Sequence, residues 1–323
     1  MTLENETKNQ HFISQVEQRL NSIPGQPGLI YALKVVDRES HSTRLTKNAG
    51  ESIRLSLSAQ DLFTFDGIDK RLRRNYEALF QRYEQDLVMH SEALLQKLQR
   101  GESEIKDELL SVFAAKLLNF VRNPFCVRKV LGTFRTVTTH QFTDQALRDA
   151  HALVLDGSRA QEAEVCARYA ITPGEYHLWL RTLFMLLSVT ADEHNLFEHA
   201  IKGLLESSKV EVIVCHMTTS NSEDVCLLSD RGFNELPVEL AGGASATMLE
   251  FNISSRAFAS FTFCDPKDFV AKNHLPPEVA ALAAAQVTVR RVENDLRILR
   301  AYNRRTIYQC AERVFSSCST PLT

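Results

Sequence analysis

Apolar residues in the first hundred positions predict a β-hairpin followed by a long helix. Residues 29–36 and 43–46 are apolar runs separated by a polar turn, which is the pattern of two paired strands. Over residues 68–99 the apolar positions recur at intervals of three, four and seven, so they form one stripe along a helix. Gly101 should end this helix.

Helical periodicity continues to about residue 207. Residues 105–122 are apolar on nearly every face, which is typical of a helix buried in the middle of a domain. The proline at 124 disfavours helical geometry at the preceding residue and should break the helix there. Three further helical segments are predicted at residues 142–155, 159–169 and 174–207.

From residue 210 onward the pattern changes to short β-branched runs. Residues 210–217 and 224–229 flank one polar turn, and residues 247–253 and 257–263 flank another. Each pair predicts a hairpin, and together they predict a small antiparallel sheet of about four strands.

A long C-terminal helix is predicted to follow this sheet. The prolines at 276 and 277 stand where a helix start tolerates them, and the helix should extend to about residue 316. The order of elements predicts an α+β fold that is mainly helical, with an N-terminal β-hairpin and a four-stranded antiparallel sheet before the last helix. The predicted segments, which one domain could contain, are residues 1–66 (N-terminal segment and hairpin), 67–208 (helical core), 209–266 (sheet) and 267–323 (long helix).

Composition and charge are those of an ordinary globular protein. The 323 residues, 44% hydrophobic and 24% charged, are enough for about two domains or one large one. A net charge of −3 gives no overall preference for polyanions. The polar N-terminus predicts no secretory signal, and the apolar stretch at residues 178–189 is too short to span a bilayer. Seven cysteines without ligand spacing indicate free thiols in a reducing compartment, so we expect a cytoplasmic protein with no membrane partner.

Three polar residues occupy positions where the local pattern expects apolar ones. Asn303 lies on the apolar stripe of the last predicted helix, Arg122 closes the apolar second helix, and Asp230 follows the run at 224–229. A buried asparagine or arginine needs hydrogen-bond or charge partners. A structural network, for instance Arg122 with Asp230, and a functional site are equally good explanations of this pattern.

His11, Glu77 and Glu84 are further candidates for a site. The two glutamates are seven residues apart, so both lie on one face of the first long helix, beside its apolar stripe. Paired carboxylates can hold a metal ion or act as a base, although on a helix they more often form a solvated edge. A single histidine is likewise more often structural than catalytic. His194 and His199 are five residues apart, which differs from the spacing of four in zinc proteases.

Two segments concentrate positive charge. Residues 116–135 contain five basic residues and no acidic one. In the last predicted helix Arg290, Arg297 and Arg304 repeat every seven residues, and further arginines accompany them at 291, 300 and 305. Such a stripe can follow a phosphate backbone, but a solvated helix face is the commoner explanation.

Several short motifs are spread over nearly the full length of the chain. They are residues 10–14 (QHFIS), the helix with Glu77 and Glu84, Arg122-Asn123-Pro124, Leu228-Ser229-Asp230, and a closing helix with Asn303, Ala311 and Arg313. In their order they resemble the bacterial family known as domain of unknown function 4238. Ser14 stands where that family tends to have proline, and Arg231-Gly232 stands where Asp-x-Pro is common.

The resemblance implies a bacterial cytoplasmic protein, and members of that family occur among anti-phage defence genes. It implies no established reaction. It also implies that His11, Arg122, Asp230 and Asn303 converge, since they match the polar positions of the family's motifs.

Two functions follow as expectations. The first is a hydrolytic defence effector, a nuclease acting on DNA or RNA, with His11 as general base or acid. Glu84 and Asp230 would orient His11 or hold a divalent cation such as Mg²⁺ or Mn²⁺. The second is a non-catalytic sensor or binding module in which the same residues form a buried structural network. Nucleic acid, a phage component and a second copy of the chain are the partners considered. The residues expected to bind the substrate are Gln10, Arg122 and Asn303.

Overall fold

A computed structural model describes most of the chain. The described residues are 7–66, 73–137, 144–157, 159, 161–188, 190–191, 194–240, 243–272 and 286–323. The helices among them are α1 (Gln15–Leu20), α2 (Glu77–Arg100), α3 (Lys106–Arg122), α4 (Val127–Thr133), α5 (Gln145–Asp156), α6 (Glu162–Tyr169), α7 (Pro173–Ser188), α8 (Leu196–Ser207), α9 (Pro266–Lys272) and α10 (Leu296–Gln309). The strands are β1 (Asn9–His11), β2 (Leu29–Asp37), β3 (Ser42–Leu45), β4 (Glu51–Ser52), β5 (Ser58–Gln60), β6 (Phe65–Asp66), β7 (Arg73–Arg74), β8 (Thr190–Ala191), β9 (His194–Asn195), β10 (Lys209–His216), β11 (Leu228–Ser229), β12 (Asn234–Glu239), β13 (Ser245–Ser254), β14 (Ala257–Cys264), β15 (Val287–Glu293) and β16 (Arg313–Ser316).

The larger sheet has five strands in the order β12-β13-β14-β10-β15. Strand β10 pairs antiparallel with β14 on one side and parallel with β15 on the other. Phe113 of α3 contacts the phenylalanine rings of β13 and β14 at centroid distances between 4.6 and 5.6 Å. Helix α3 therefore packs on this sheet, and the prediction of a buried helix over residues 105–122 is confirmed.

A second sheet contains the N-terminal hairpin. Its strand order is β11-β16-β2-β3, and β4 also pairs with β2. The hairpin predicted at residues 29–36 and 43–46 is confirmed as β2 and β3. Leu33 of β2 and Val314 of β16 form a small core cluster with Ile307 of α10. The C-terminal strand thereby fastens the N-terminal hairpin to the last helix.

The α+β class is confirmed, but the predicted topology of a four-stranded sheet before one long C-terminal helix is wrong. Residues 287–293 form strand β15, because their valine and threonine side chains favour an extended strand beside β10. The helix begins only at Leu296, where the Asp295 side chain caps the N–H groups of Arg297 and Ile298. Asn294, at φ 54°, makes the turn between the strand and the helix.

The C-terminal end of that predicted helix also differs. Helix α10 ends at Gln309, and residues 313–316 form strand β16, which pairs with β11 and β2. The predicted start at the prolines 276 and 277 lies outside the described residues.

The predicted hairpin of residues 210–217 and 224–229 is wrong as well. Strand β10 has the predicted position, but the second run provides only the two-residue strand β11, which pairs with β16 in the other sheet. Strand β12, which the sequence pattern did not predict, pairs with β13 at the sheet edge. The hairpin of β13 and β14 is confirmed. Burial across whole sheets selects strand partners, so neighbours in sequence need not pair.

Two helical predictions have different limits in the structure. The helix predicted from residue 68 begins at Glu77, and residues 73–74 form strand β7. The helix predicted over residues 174–207 is divided into α7 and α8, because Asn195 and Glu198 form a capping box that starts a new helix. One cluster of buried apolar side chains includes residues of the N-terminal segment, the helices and the larger sheet. The domain boundaries stay a prediction.

Candidate functional site

Helix α3 carries a row of polar side chains on an otherwise apolar surface. Lys116, Asn119 and Arg122 are three residues apart, so they follow one another along one side of the helix. All three are buried, each at 1% exposure. The apolar pattern had singled out only Arg122, although the spacing of the three polar positions was readable in the sequence.

Glu17 of α1 neutralises the first part of this row. Lys116 Nζ donates to Glu17 Oε2 at 2.5 Å, and Asn119 Nδ2 donates to Glu17 Oε1. Ser14 caps α1 by accepting the Glu17 backbone N–H at 3.2 Å. The spacing of Ser14 and Glu17 is that of a capping box, a signal in the sequence that pointed to this helix start. Because this ion pair is buried, losing either partner would leave an unpaired charge in the core.

Arg122 connects the row to helix α2. Its Nη2 donates to Asn119 Oδ1 at 3.1 Å, and its Nη1 donates to Glu84 Oε1 at 2.8 Å. The guanidinium also lies over the Phe80 ring, 5.1 Å from its centroid. Its Nε is buried and has no hydrogen-bond partner within the part of the chain that the structure describes. Arg122 thus pairs with Glu84, and not with Asp230 as the structural alternative suggested.

Glu77 lies two turns before Glu84 on α2. Its Oε1 is buried and, among the described residues, accepts no hydrogen bond. Burial raises the pKa of Glu77 to about 7; the nearby charge of Glu84 adds to this rise, and Arg122 opposes it. Glu77 therefore holds its proton to a higher pH than an exposed glutamate does.

His11 of β1 belongs to the same electrostatic group. Burial lowers the pKa of His11, and Arg122 lowers it further, while the carbonyl of Ile53 and the charge of Glu84 raise it. Its Nε2 lies 3.3 Å from the Ile53 carbonyl oxygen. Because a carbonyl can only accept, Nε2 carries the proton in this contact, and Nδ1 is the basic nitrogen of the neutral ring.

We call His11, Glu77, Glu84 and Arg122 the His–Glu–Arg cluster. It reaches solvent through Glu84, whose side chain is 34% exposed, whereas that of Arg122 is 2% exposed. The cluster contains a neutral imidazole and a carboxyl group whose pKa is raised to about 7, and both groups interact electrostatically with Arg122 and Glu84. Such a pair can act as general base and general acid at the same pH.

Gln10, predicted to bind substrate, holds β1 in place instead. Its side chain is fully buried. The amide donates to Thr64 Oγ1 at 3.0 Å and accepts the backbone N–H of Phe63 at 2.5 Å. Gln10 therefore anchors the strand that carries His11.

Asp230 lies outside the cluster and closes a different loop. Its carboxylate accepts the backbone N–H groups of Ala311, Glu312 and Arg313 at 2.7, 2.7 and 2.9 Å. Burial raises the pKa of Asp230, and the three N–H donors partly offset that rise. Its backbone carbonyl accepts from Asn123 Nδ2 at 2.8 Å, which attaches β11 to the end of α3. The expected role of Asp230 as the partner of His11 has no contact to support it.

Asn303 is also structural. Its Oδ1 accepts the Leu227 N–H at 3.0 Å, and its Nδ2 donates to the carbonyls of Val225 and Leu322 at 2.8 and 2.7 Å. These bonds join α10 to the segment before β11 and to the C-terminus. The structure therefore brings His11, Glu84 and Arg122 together and leaves Asp230 and Asn303 apart from them.

The basic segment at residues 116–135 is largely neutralised by acids from other elements. Besides the Glu17 and Glu84 pairs, Arg128 Nε lies 2.8 Å from Glu175 Oε1 of α7, and Lys129 contacts Glu235 of β12. Of the arginines predicted on one helix, Arg290 and Arg291 lie on β15, and the others lie on α10.

Within the described ranges, no three His, Cys, Asp or Glu side chains form a group that could hold a metal ion. A Mg²⁺ or Mn²⁺ requirement stays a prediction. The helices of the described residues include none that is both long and apolar enough to cross a membrane.

Comparison with known proteins adds no parallel for the cluster. No family model, no curated protein and no solved structure matches the chain. The likeness of its short motifs to a bacterial family thus stays a prediction, and the function has to be inferred from the geometry.

Proposed function

We propose that the protein is a nuclease that serves as an effector of bacterial anti-phage defence, with the His–Glu–Arg cluster as its active site. The observation that carries this proposal is that one cluster contains both a histidine with a lowered pKa and a glutamate with a raised pKa. A neutral His11 and a Glu77 of pKa about 7 both interact with Arg122, whose partner Glu84 is 34% exposed. The motif resemblance supports the defence setting.

Cleavage of a phosphodiester needs the groups that this cluster holds. His11 Nδ1 would take the proton of the attacking water or hydroxyl as its oxygen bonds to phosphorus. Glu77 would give its proton to the leaving oxygen as the bond between phosphorus and that oxygen breaks. The Arg122 guanidinium would offset the negative charge that develops on the phosphoryl oxygens.

The sequence next to the cluster supports a polyanionic substrate. Arg73 and Arg74 form strand β7, four and three residues before Glu77. A chain segment of three residues spans at most about 11 Å, so the backbone of two basic residues lies close to the start of α2. Asp230, Asn303 and Gln10 keep supporting roles in this proposal.

The test compares cleavage by wild type and Glu77→Gln. The glutamine side chain keeps the shape of the protonated acid but cannot give up a proton to the leaving group, so kcat should fall by at least about 100-fold. Purified proteins are incubated with plasmid DNA, single-stranded DNA and total RNA, in Mg²⁺, in Mn²⁺ and in EDTA. Glu92→Gln is the matched control, because Glu92 is an exposed glutamate of the same helix.

Equal cleavage by wild type and Glu77→Gln would contradict the proposal, provided both melt within a few degrees of each other. No cleavage of any substrate by wild type, in all three conditions, would also contradict it.

A second function, a non-catalytic nucleic-acid-binding module, is favoured by the surface of α10. Arg300 and Arg304 are exposed there and form no ion pair among the described residues. Such a module would bind nucleic acid with steep salt dependence and cleave nothing, and Glu77→Gln would leave its binding unchanged.

A further inference from the structure

A polar cleft of about 640 Å³ opens on the smaller sheet, apart from the His–Glu–Arg cluster. Strand β2, the end of α6 and the start of β16 form its walls. Its charged lining residues are Lys34, Arg38, Arg168, Glu312 and Arg313. Four positive charges against one negative charge make this cleft basic, although the whole chain has a net charge of −3.

Three cations stand in register across the sheet; two of them, Lys34 and Arg313, line this cleft, and the third, Arg44, extends the row beyond it. Lys34 of β2 is paired directly with Arg44 of β3 on one side and with Arg313 of β16 on the other. Residues paired in this way point to the same face of a sheet. Since strands lie about 4.8 Å apart, the row extends over about 10 Å. Like charges in direct register repel one another, so the row destabilises the sheet unless an anion lies across it.

Acidic side chains balance only part of this row. Arg313 Nη1 lies 3.2 Å from Glu51 Oε2, and Arg168 Nη2 lies 3.7 Å from Glu312 Oε2. Lys34 and Arg44 are exposed, and neither has an ion-pair partner among the described residues. The hairpin's own acids, Asp37 and Glu39, lie at its turn and do not line the cleft.

Arg38 attaches the cleft to the end of α10. Its guanidinium donates to the carbonyls of Tyr308, Cys310 and Ala311 at 2.6, 2.7 and 2.8 Å. Tyr308 is 49% exposed beyond the lining of the cleft, and it follows Arg300 and Arg304 on the same helix face at intervals of four. A cationic groove with an exposed aromatic ring is the combination that holds single-stranded nucleic acid without sequence preference.

We propose that this polar cleft binds the phosphate backbone of single-stranded nucleic acid, with phosphates lying across the row of Arg44, Lys34 and Arg313. The segment at its edge leads to the cluster: Glu51 binds Arg313, and two residues later the Ile53 carbonyl contacts His11. Residues 51–53 thus connect a lining residue of the cleft to His11. Cleavage of the bound strand rests on the proposed nuclease function, whereas binding in the cleft does not.

The test measures binding of labelled single-stranded RNA and DNA by fluorescence anisotropy over a range of salt concentrations. Proteins carry Glu77→Gln, so that cleavage does not consume the probe. Lys34→Gln with Arg44→Gln should weaken binding by at least about tenfold and lower the salt slope by about 1.4, because each lost phosphate contact to a single strand contributes about 0.7. Lys202→Gln with Lys267→Gln removes the same charge elsewhere and should change neither quantity.

Unchanged affinity and slope in the cleft variant would overturn the proposal. Displacement of the probe by an equimolar mononucleotide or by inorganic phosphate would also overturn it, since the cleft would then hold a small phosphate ligand. Both substituted side chains are exposed, and relief of their repulsion should leave the melting temperature equal or higher.

The two proposals fail separately. If the wild type cleaves nucleic acid but the cleft variant binds normally, the cleft assignment is wrong and the nuclease proposal stands. If binding depends on the cleft but wild type cleaves nothing, the nuclease proposal is wrong and the cleft assignment stands.

Discussion

At the scale of single residues, Glu77 and Glu84 show how one helix holds two carboxyl groups in different environments. Glu84 accepts a hydrogen bond from Arg122, whereas Glu77 Oε1 is buried without a hydrogen-bond partner among the described residues. Removing a carboxylate from water without pairing it favours the protonated form, which is why the pKa of Glu77 rises to about 7.

This pKa predicts a pH-dependent difference in stability between wild type and Glu77→Gln. Since the pKa of Glu77 is higher in the folded state than in the unfolded chain, folding takes up a proton between about pH 4 and pH 7. The free energy of unfolding of wild type should therefore fall, relative to the variant, by about 3 kcal/mol from pH 4 to pH 8. Urea denaturation of both proteins across that range measures the difference. A difference that stays constant with pH would contradict a shifted pKa.

Asp230 makes a second prediction at the residue scale. Replacement by alanine leaves three backbone N–H groups between α10 and β16 without their acceptor, so Asp230→Ala should lower the free energy of unfolding by about 3 kcal/mol or more. Urea denaturation measures this loss. The exposed Asp86→Ala on α2 is the control and should change stability by less than about 0.5 kcal/mol. A catalytic role for Asp230 would instead give a stable, inactive variant.

At the scale of elements, helix α3 connects the candidate site to the larger sheet and to the neighbouring helices. Its apolar faces pack on the larger sheet, and its polar row extends from the buried pair of Glu17 and Lys116 to Arg122. The row therefore ties α1, α2 and α3 together with charges and amides. Because the members of this network supply each other's hydrogen bonds and opposite charges, their contributions to stability should not be additive.

The pair of Glu17 and Lys116 tests that coupling. Lys116→Met leaves the Glu17 carboxylate buried without its cation and should lower the free energy of unfolding by about 3–5 kcal/mol. The double variant Glu17→Gln with Lys116→Met removes both charges, so it should be more stable than Lys116→Met alone. Urea denaturation of the two single variants and the double variant measures the coupling. Additive losses would show that the two charges do not stabilise each other.

At the scale of the whole molecule, the distribution of charge is set by partners that lie far apart in sequence. The basic segment at residues 116–135 is balanced by acids of α1, α2, α7 and β12. The basic surface lies elsewhere, on the smaller sheet and along α10, where β3, β2 and β16 align cations from three parts of the chain. A charge count along the sequence cannot distinguish a basic segment that acids from other elements neutralise from cations that remain exposed on the surface.

Local pattern alone determined the helix over residues 105–122, the hairpin of β2 and β3, and the hairpin of β13 and β14, because their periodicity and turns involve neighbouring residues. It also marked His11, Glu84 and Arg122 as polar residues that needed an explanation.

Tertiary structure decided the rest. Strand β15 joins β10 only through pairing across the sheet, whereas the prolines at 276 and 277 predict a helix over the same residues. Whether a buried polar residue serves a site or a loop depends on which partners reach it. The carboxylate that pairs with Arg122 lies 38 residues away, and the N–H groups that Asp230 accepts lie 81 to 83 residues away.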